Sequence, residues 1–237
     1  ACMRDTPAPL RLAVIGGGPA GLMAAEVASA AGIEVHLFEA KGSVGRKFLI
    51  AGKGGLNLTH SEARPGFDAR YRERALDVGA WLDDFDADAL RAWARDFGVE
   101  TYVGSSGRVF PIDRKAAPLL RGWVRRLREG GVLFHVQHRW LGWDDRGALR
   151  FSTPDGEVRF GADALVLAMG GGSWPQLGSD GAWVPALAAR GIVLLPDLSR
   201  RLRAEDAEGS RASFNRGAEF ALLLTLPAAV ALMVISW

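Results

Sequence analysis

Cysteine is nearly missing: Cys2 is the one thiol in 237 residues. That excludes an internal disulfide framework, a cysteine metal cluster and a dithiol redox pair, and it fits a reducing compartment, so a cytoplasmic location is expected. Histidine is scarce too. His36, His60, His135 and His138 are scattered without the spacing of a metal motif such as HExxH, and no metal site is expected. Charge is biased to neither sign, because 29 basic and 27 acidic residues are interspersed for a formal net charge of +2. Neither a nucleic-acid groove nor a polyanionic substrate is implied. The first eleven residues hold no apolar h-region, so no N-terminal signal peptide is expected. The chain also lacks internal repeats and low-complexity tracts.

What is present concentrates between Leu12 and Glu39. Leu12, Ala13, Val14 and Ile15 form a short unbroken apolar run, the pattern of a parallel strand buried on both faces. Gly16, Gly18 and Gly21 follow as G-x-G-x-x-G. The first permits a tight turn, the second lets backbone approach a pyrophosphate, and the third lets a helix pack closely on the strand. A helix is predicted from Pro19 or Ala20 to Ala31, with Gly32 as its stop. Its N-terminal amides and dipole make an anion site, and no acidic side chain lies between Gly16 and Leu22. A second strand, Glu34 to Phe38, ends at Glu39, 18 residues beyond Gly21, where a carboxylate can accept hydrogen bonds from adenosine ribose hydroxyls. The same carboxylate would repel a 2′-phosphate, which favours FAD over NADP.

From Ala40 to Gly66 the chain is rich in glycine, which predicts irregular backbone, and its apolar residues argue against disorder. Arg46, Lys47 and Lys53 are candidates for phosphate contact, the alternative being solvated cations. Farther on, Asp86 to Phe97 reads as an amphipathic helix, and Glu100–Val103 with Val109–Phe110 as a hairpin around GSSGR. Asp113 is placed as the cap of a helix from Arg114 to Glu129. Val132 to Val136 reads as the next parallel strand, and Arg139 to Trp143 as an extended piece. Leu149–Ser152 and Val158–Phe160 form a hairpin through TPDGE, and Ala164 to Gly172 returns as an apolar strand running into glycines. That second glycine cluster is not another G-x-G-x-x-G, so one dinucleotide site and no separate NAD(P)H domain are expected. The fold class predicted is α/β, a Rossmann-like FAD/NAD(P)-binding three-layer fold with inserted β-hairpins and helices.

Four separated segments, IGGGPAGLMAA, GRKFLIAGKGGLNLTHSE, SGRVFP and ALVLAMGGGSWPQLGSDG, occur in an order that resembles the YhiN-like FAD-dependent oxidoreductase family. The resemblance runs from Leu12 to about Pro196. It implies a two-dinucleotide-half FAD fold with an inserted substrate region, and an extended piece near Trp140 that lends backbone atoms to the adenine edge. It also places Gly170 and Gly171 beside the dinucleotide. Where many members carry Arg-Cys this chain has Gly55-Leu56, so no chemistry of that cysteine transfers. Pattern and resemblance together nominate Gly16, Gly18, Pro19, Ala20, Gly21, Glu39, Ala40, Arg46, Lys47, Asn57, Trp140, Gly170 and Gly171 as cofactor-binding residues. No general acid or base is identifiable, and His60 is the one histidine in these motifs.

Residues 10–196 are expected to form the FAD-binding domain with a partial insertion, and residues 197–237 an atypical tail. Arg200 to Glu219 reads as a solvated linker or exposed helix. The final 18 residues, FALLLTLPAAVALMVISW, carry no charge but contain Pro227. They fit a buried terminal element, the end of a truncated chain, or a short membrane tail. Members of the resembling family are longer and return to the flavin with a C-terminal glycine-rich segment. Two readings follow: an FAD-dependent oxidoreductase, or its FAD-binding portion, moving hydride to or from a small molecule with NAD(P)H as a candidate donor; and a non-catalytic dinucleotide-binding remnant.

Overall fold

The computed structural model describes residues 10–171, 176 and 180–191, apart from the side chains of Ala51 and Lys53. Cys2, Gly172, the charged stretch 200–219 and the apolar run 220–237 lie outside them. The first half runs β1 (Arg11–Ile15), α1 (Pro19–Ala30), β2 (Glu34–Glu39), α2 (Arg46–Ala51), β3 (Thr59–His60), α3 (Gly66–Ala69), α4 (Ala75–Asp84), α5 (Ala87–Arg95), β4 (Thr101–Val103) and β5 (Arg108–Pro111). It continues with α6 (Ala117–Glu129), β6 (Leu133–Val136), β7 (Arg139–Trp143), β8 (Leu149–Thr153), β9 (Gly156–Phe160), β10 (Ala164–Leu167) and α7 (Val184–Ala188).

Four strands make a parallel sheet in the order β10-β1-β2-β6. The unbroken apolar run of β1 has the internal position its pattern demands, since both its faces are covered. Leu12 and Val14 point with Val35 and Leu37 into a helical layer, where Leu22 and Ala25 of α1 meet Leu119, Trp123 and Leu127 of α6. Ala13, Ile15 and Phe38 point the other way, against Trp140, Leu149 and Phe151. That second cover is an antiparallel sheet, β7-β8-β9. Helices, parallel sheet and antiparallel sheet thus form the three layers of a Rossmann-like α/β fold. A small sheet, β3-β5-β4, is inserted between β2 and α6; Leu58 N extends it by donating to Val109 O at 2.8 Å, and the Leu58 side chain anchors it in the helical-layer core.

Two expectations are corrected. The glycine-rich connection after Glu39 is not irregular throughout: Arg46–Ala51 is helical, followed by a 3-10 turn over Gly52–Gly54. Phe48, Leu56 and Leu58 supply the reason, since all three are buried in the helical-layer core. Gly45 starts that helix at φ 68°, and a Cβ there would run into the Leu120 side chain. Second, α6 begins at Ala117 rather than Arg114. Arg114 sits at φ 57°, and Asp113 Oδ1 spends its bond on Lys115 N at 3.0 Å, closing a local turn before the helix. Arg139–Trp143, expected as an extended piece, is the first strand of the antiparallel cover, hydrogen-bonded to β8.

Candidate functional site

Parallel strands all deliver their carboxyl ends to one side of the sheet, and ligands of such sheets bind in the crevice outside those ends. Here the crevice is a cavity of about 520 Å³ bounded by the ends of β1, β2 and β10, the start of α1, the start of α2 and the segment 138–141. That volume falls within the usual range for small-molecule sites.

Its floor is the glycine turn. Gly16 N donates to Phe38 O at 2.8 Å, and Ala168 N donates to Ile15 O at 2.8 Å, so the three strand ends are laced together around Gly16. At φ 111° and with Ala168 O where a Cβ would be, Gly16 admits no side chain. A Cβ on Gly21 would collide with Gly16 O, whereas a Cβ on Gly18 would meet nothing within 4 Å. The turn is therefore closed toward the protein and open toward the cavity at Gly18. No side chain caps α1, its first turn holds no acidic residue, and Pro19 occupies its opening positions. These features fit a diphosphate: uncommitted amides, the positive end of a 12-residue helix, and room for the anion.

Glu39 stands at the end of β2. Its Oε2 accepts from Gly17 N at 2.9 Å and its Oε1 from Lys41 N at 2.8 Å, which fixes the carboxylate at the rim of the turn. A carboxylate has about four lone-pair directions, so capacity remains for two hydroxyl donors. Gly45 N donates to Gly17 O at 2.7 Å and thereby presses the first turn of α2, with Arg46 and Lys47, against the glycine turn. Arg46 is exposed. On the far wall Arg139 pairs with Asp180 at 3.4 Å, and Trp183 Nε1 donates to Gly170 O at 3.1 Å. The Ala182 amide and Arg139 hold the Asp180 carboxyl below the usual carboxylate range.

Of the nominated residues, Gly16, Gly18, Pro19, Ala20, Glu39, Ala40, Arg46, Lys47, Trp140, Gly170 and Gly171 all line this cavity. Gly21 acts from behind, by letting α1 close on Gly16. Asn57 is elsewhere: with its amide nitrogen donating to Thr59 O at 2.9 Å and Val109 O at 3.3 Å, it braces the inserted sheet. Ser43, His138, Arg139, Met169, Asp180 and Trp183 line the cavity without having been nominated. Asp180-Gly181 carries a turn signal, but no local pattern brings it to β7. Among the described residues no group of three His, Cys, Asp or Glu side chains is arranged to hold a metal ion, and no helix is long and apolar enough to cross a membrane.

Residues 10–198 match the family described as HI0933-like protein Rossmann domain. The chain belongs to that family. Curated relatives of the HI0933-like domain include the 3-dehydro-bile acid delta(4,6)-reductase of Clostridium scindens, 29% identical over 201 residues, covering 78% of this chain and 45% of the relative. The ribosomal RNA dihydrouridine synthase of Escherichia coli is 26% identical over 189 residues, covering 77% and 45%. The chain thus spans about half the length of the curated relatives it matches. Among solved structures, an open-conformation flavocytochrome c3 fumarate reductase superposes with a TM-score of 0.53 at 20% identity, over 70% of this chain and 34% of that one. The 3-ketosteroid-delta4-(5alpha)-dehydrogenase of Rhodococcus jostii RHA1 gives 0.51 at 15%, over 72% and 48%. At these identities the two structures share the fold.

Proposed function

We propose that this chain is the FAD-binding portion of a YhiN-like oxidoreductase that works in the cytoplasm, with residues 10–196 as the dinucleotide-binding unit. The observation that carries the reading is the convergence of an uncapped α1 N-terminus, an open Gly18 and the fixed Glu39 carboxylate on one cavity. FAD, when bound, supplies hydride transfer to or from a small molecule. The chain's own residues bind and orient. Amides at the start of α1 hold the diphosphate, with Arg46 and Lys47 adding charge, and Glu39 accepts the ribose hydroxyls. The backbone at Trp140 borders the base, and the loop carrying Gly170 and Gly171 borders the remainder of the dinucleotide. NAD(P)H is the proposed electron donor.

The names of the two curated relatives both describe adding hydrogen across an unsaturated bond, which supports that reaction class here. A bile-acid enone and a uridine-containing RNA are accordingly the two acceptors to assay. The reading itself is tested by titrating apo-protein with FAD and with ADP and following the heat of binding. Saturable binding of both is expected, and absence of binding by either overturns the assignment. The second reading is a non-catalytic dinucleotide-binding unit that takes the nucleotide half without turning over. Binding without reduction of either acceptor would select it.

A further inference from the structure

After β6 the chain doubles back onto the end of β2. Gln137 N donates to Lys41 O at 3.0 Å and His138 N donates to Glu39 O at 2.9 Å, which fastens His138 to the backbone of the residue whose carboxylate is assigned to the ribose. His138 lines the cavity, and its ring is flanked by His135, Phe38 and Phe151, with ring centroids 5.5, 5.8 and 6.1 Å away. Its Nδ1 lies 2.8 Å from Val136 O. A carbonyl accepts, so in the neutral ring Nδ1 carries the proton and Nε2 carries the lone pair. Nε2 has no partner among the described residues. The next cation along the wall, Arg139, is committed to Asp180.

We infer that His138 reads the base of the dinucleotide, with Nε2 accepting a hydrogen bond from the exocyclic amine of adenine. The inference rests on the dinucleotide reading above, because it takes Glu39 as the ribose partner. In a nucleotide the base lies beyond the ribose from the diphosphate, and the cavity-lining residue bonded to the backbone of Glu39 is His138. A tautomer locked as an acceptor selects for a donor. Adenine presents an amine at this edge, whereas hypoxanthine and guanine present a carbonyl oxygen, which would leave two acceptors facing one another.

The test is calorimetric titration of the 237-residue protein and its His138→Phe variant with ADP and with IDP. The unsubstituted protein is expected to bind ADP about tenfold more tightly than IDP, the worth of one hydrogen bond gained with the amine and lost with the carbonyl. In the Phe variant the ratio should fall toward one, chiefly through weaker ADP binding, while the ring keeps its contacts with Phe38 and Phe151. Should that variant not fold, His138→Gln serves: its amide can donate to Val136 O and turn to either base, so the same collapse of the ratio is expected. ADP bound with a ratio near one, or a tenfold ratio that survives in a folded variant, overturns the role of His138 and leaves the nucleotide site standing. Binding of neither nucleotide overturns both.

Discussion

Gly18 and Gly21 stand in one turn and lack a side chain for opposite reasons. Gly21 has Gly16 O where its Cβ would be, so Gly21→Ala must push α1 off β1 at a cost of about 1–3 kcal/mol, visible as a lower Tm of the apo-protein. Gly18 faces open space at φ −80°, a conformation any residue adopts, so Gly18→Ala should shift apo stability by no more than about 0.5 kcal/mol. Its methyl group would occupy the anion's place, and ADP affinity in calorimetry should drop. Equal losses of stability in the two variants would contradict this division. Glu39→Ala is expected to weaken ADP binding by roughly 1.5–3 kcal/mol, the worth of hydrogen bonds to a charged group. A modest fall in Tm should accompany it, because Gly17 N and Lys41 N lose their acceptor. The sterics of the turn and the strand-end position of Glu39 were legible in the sequence because both are local properties. The role of Asn57 was not, since its amide answers to Val109, far along the chain.

Among the elements, α1, α5 and α6 meet at Glu26. Its carboxylate accepts from Trp123 Nε1 at 2.6 Å, from Trp93 Nε1 at 3.2 Å and from Arg126 Nη1 at 2.9 Å, with a side chain 17% exposed. Glu26→Ala leaves those donors unpaired and should cost about 2–4 kcal/mol in denaturant unfolding, with ADP affinity unchanged because the hub lies on the helical side of the sheet. The opposite side holds a polar pair. Glu34 Oε1 accepts from His36 Nε2 at 2.8 Å, which leaves His36 Nδ1 to accept from His135 Nε2 at 2.9 Å. Burial, helped by the neighbouring His36 and His138, pushes His135 down from 6.5 to about 4. Folded His135 therefore stays neutral while the unfolded chain takes up a proton. Stability from this group is complete above pH 6.5, drains as pH falls toward 4, and changes no further below that. Denaturant unfolding of His135→Phe across that window should give a flatter pH profile, and an unchanged slope would remove His135 from the account. Element order was legible from apolar period and glycine stops. The helix over Arg46–Ala51 was hidden between Gly45 and Gly52, and the histidine pair was hidden because His36 and His135 meet only through β2–β6 pairing.

For the whole molecule, the proposed site assigns the glycine turn and Glu39 to the adenosine diphosphate half and no side chain of this chain to the isoalloxazine half. FAD and ADP should accordingly bind with similar affinity. Addition of FAD at a concentration equal to its dissociation constant should stabilise the protein by RT ln 2, about 0.4 kcal/mol, growing only logarithmically above that. Stoichiometric yellow protein that prefers FAD far above ADP would show that these residues complete the flavin site. The order of assembly follows from the sheet. β1 pairs with β2 early in the chain, yet its other neighbour is β10, where Leu12 stands opposite Ala164, and the cavity wall at Ala168 hangs from that pairing. Pairing so distant in sequence is slow and waits for the chain to be made. During synthesis the strand at Ala164–Leu167 must therefore emerge before the cavity can close, and any ligand of that cavity stabilises an assembled sheet instead of templating its first half.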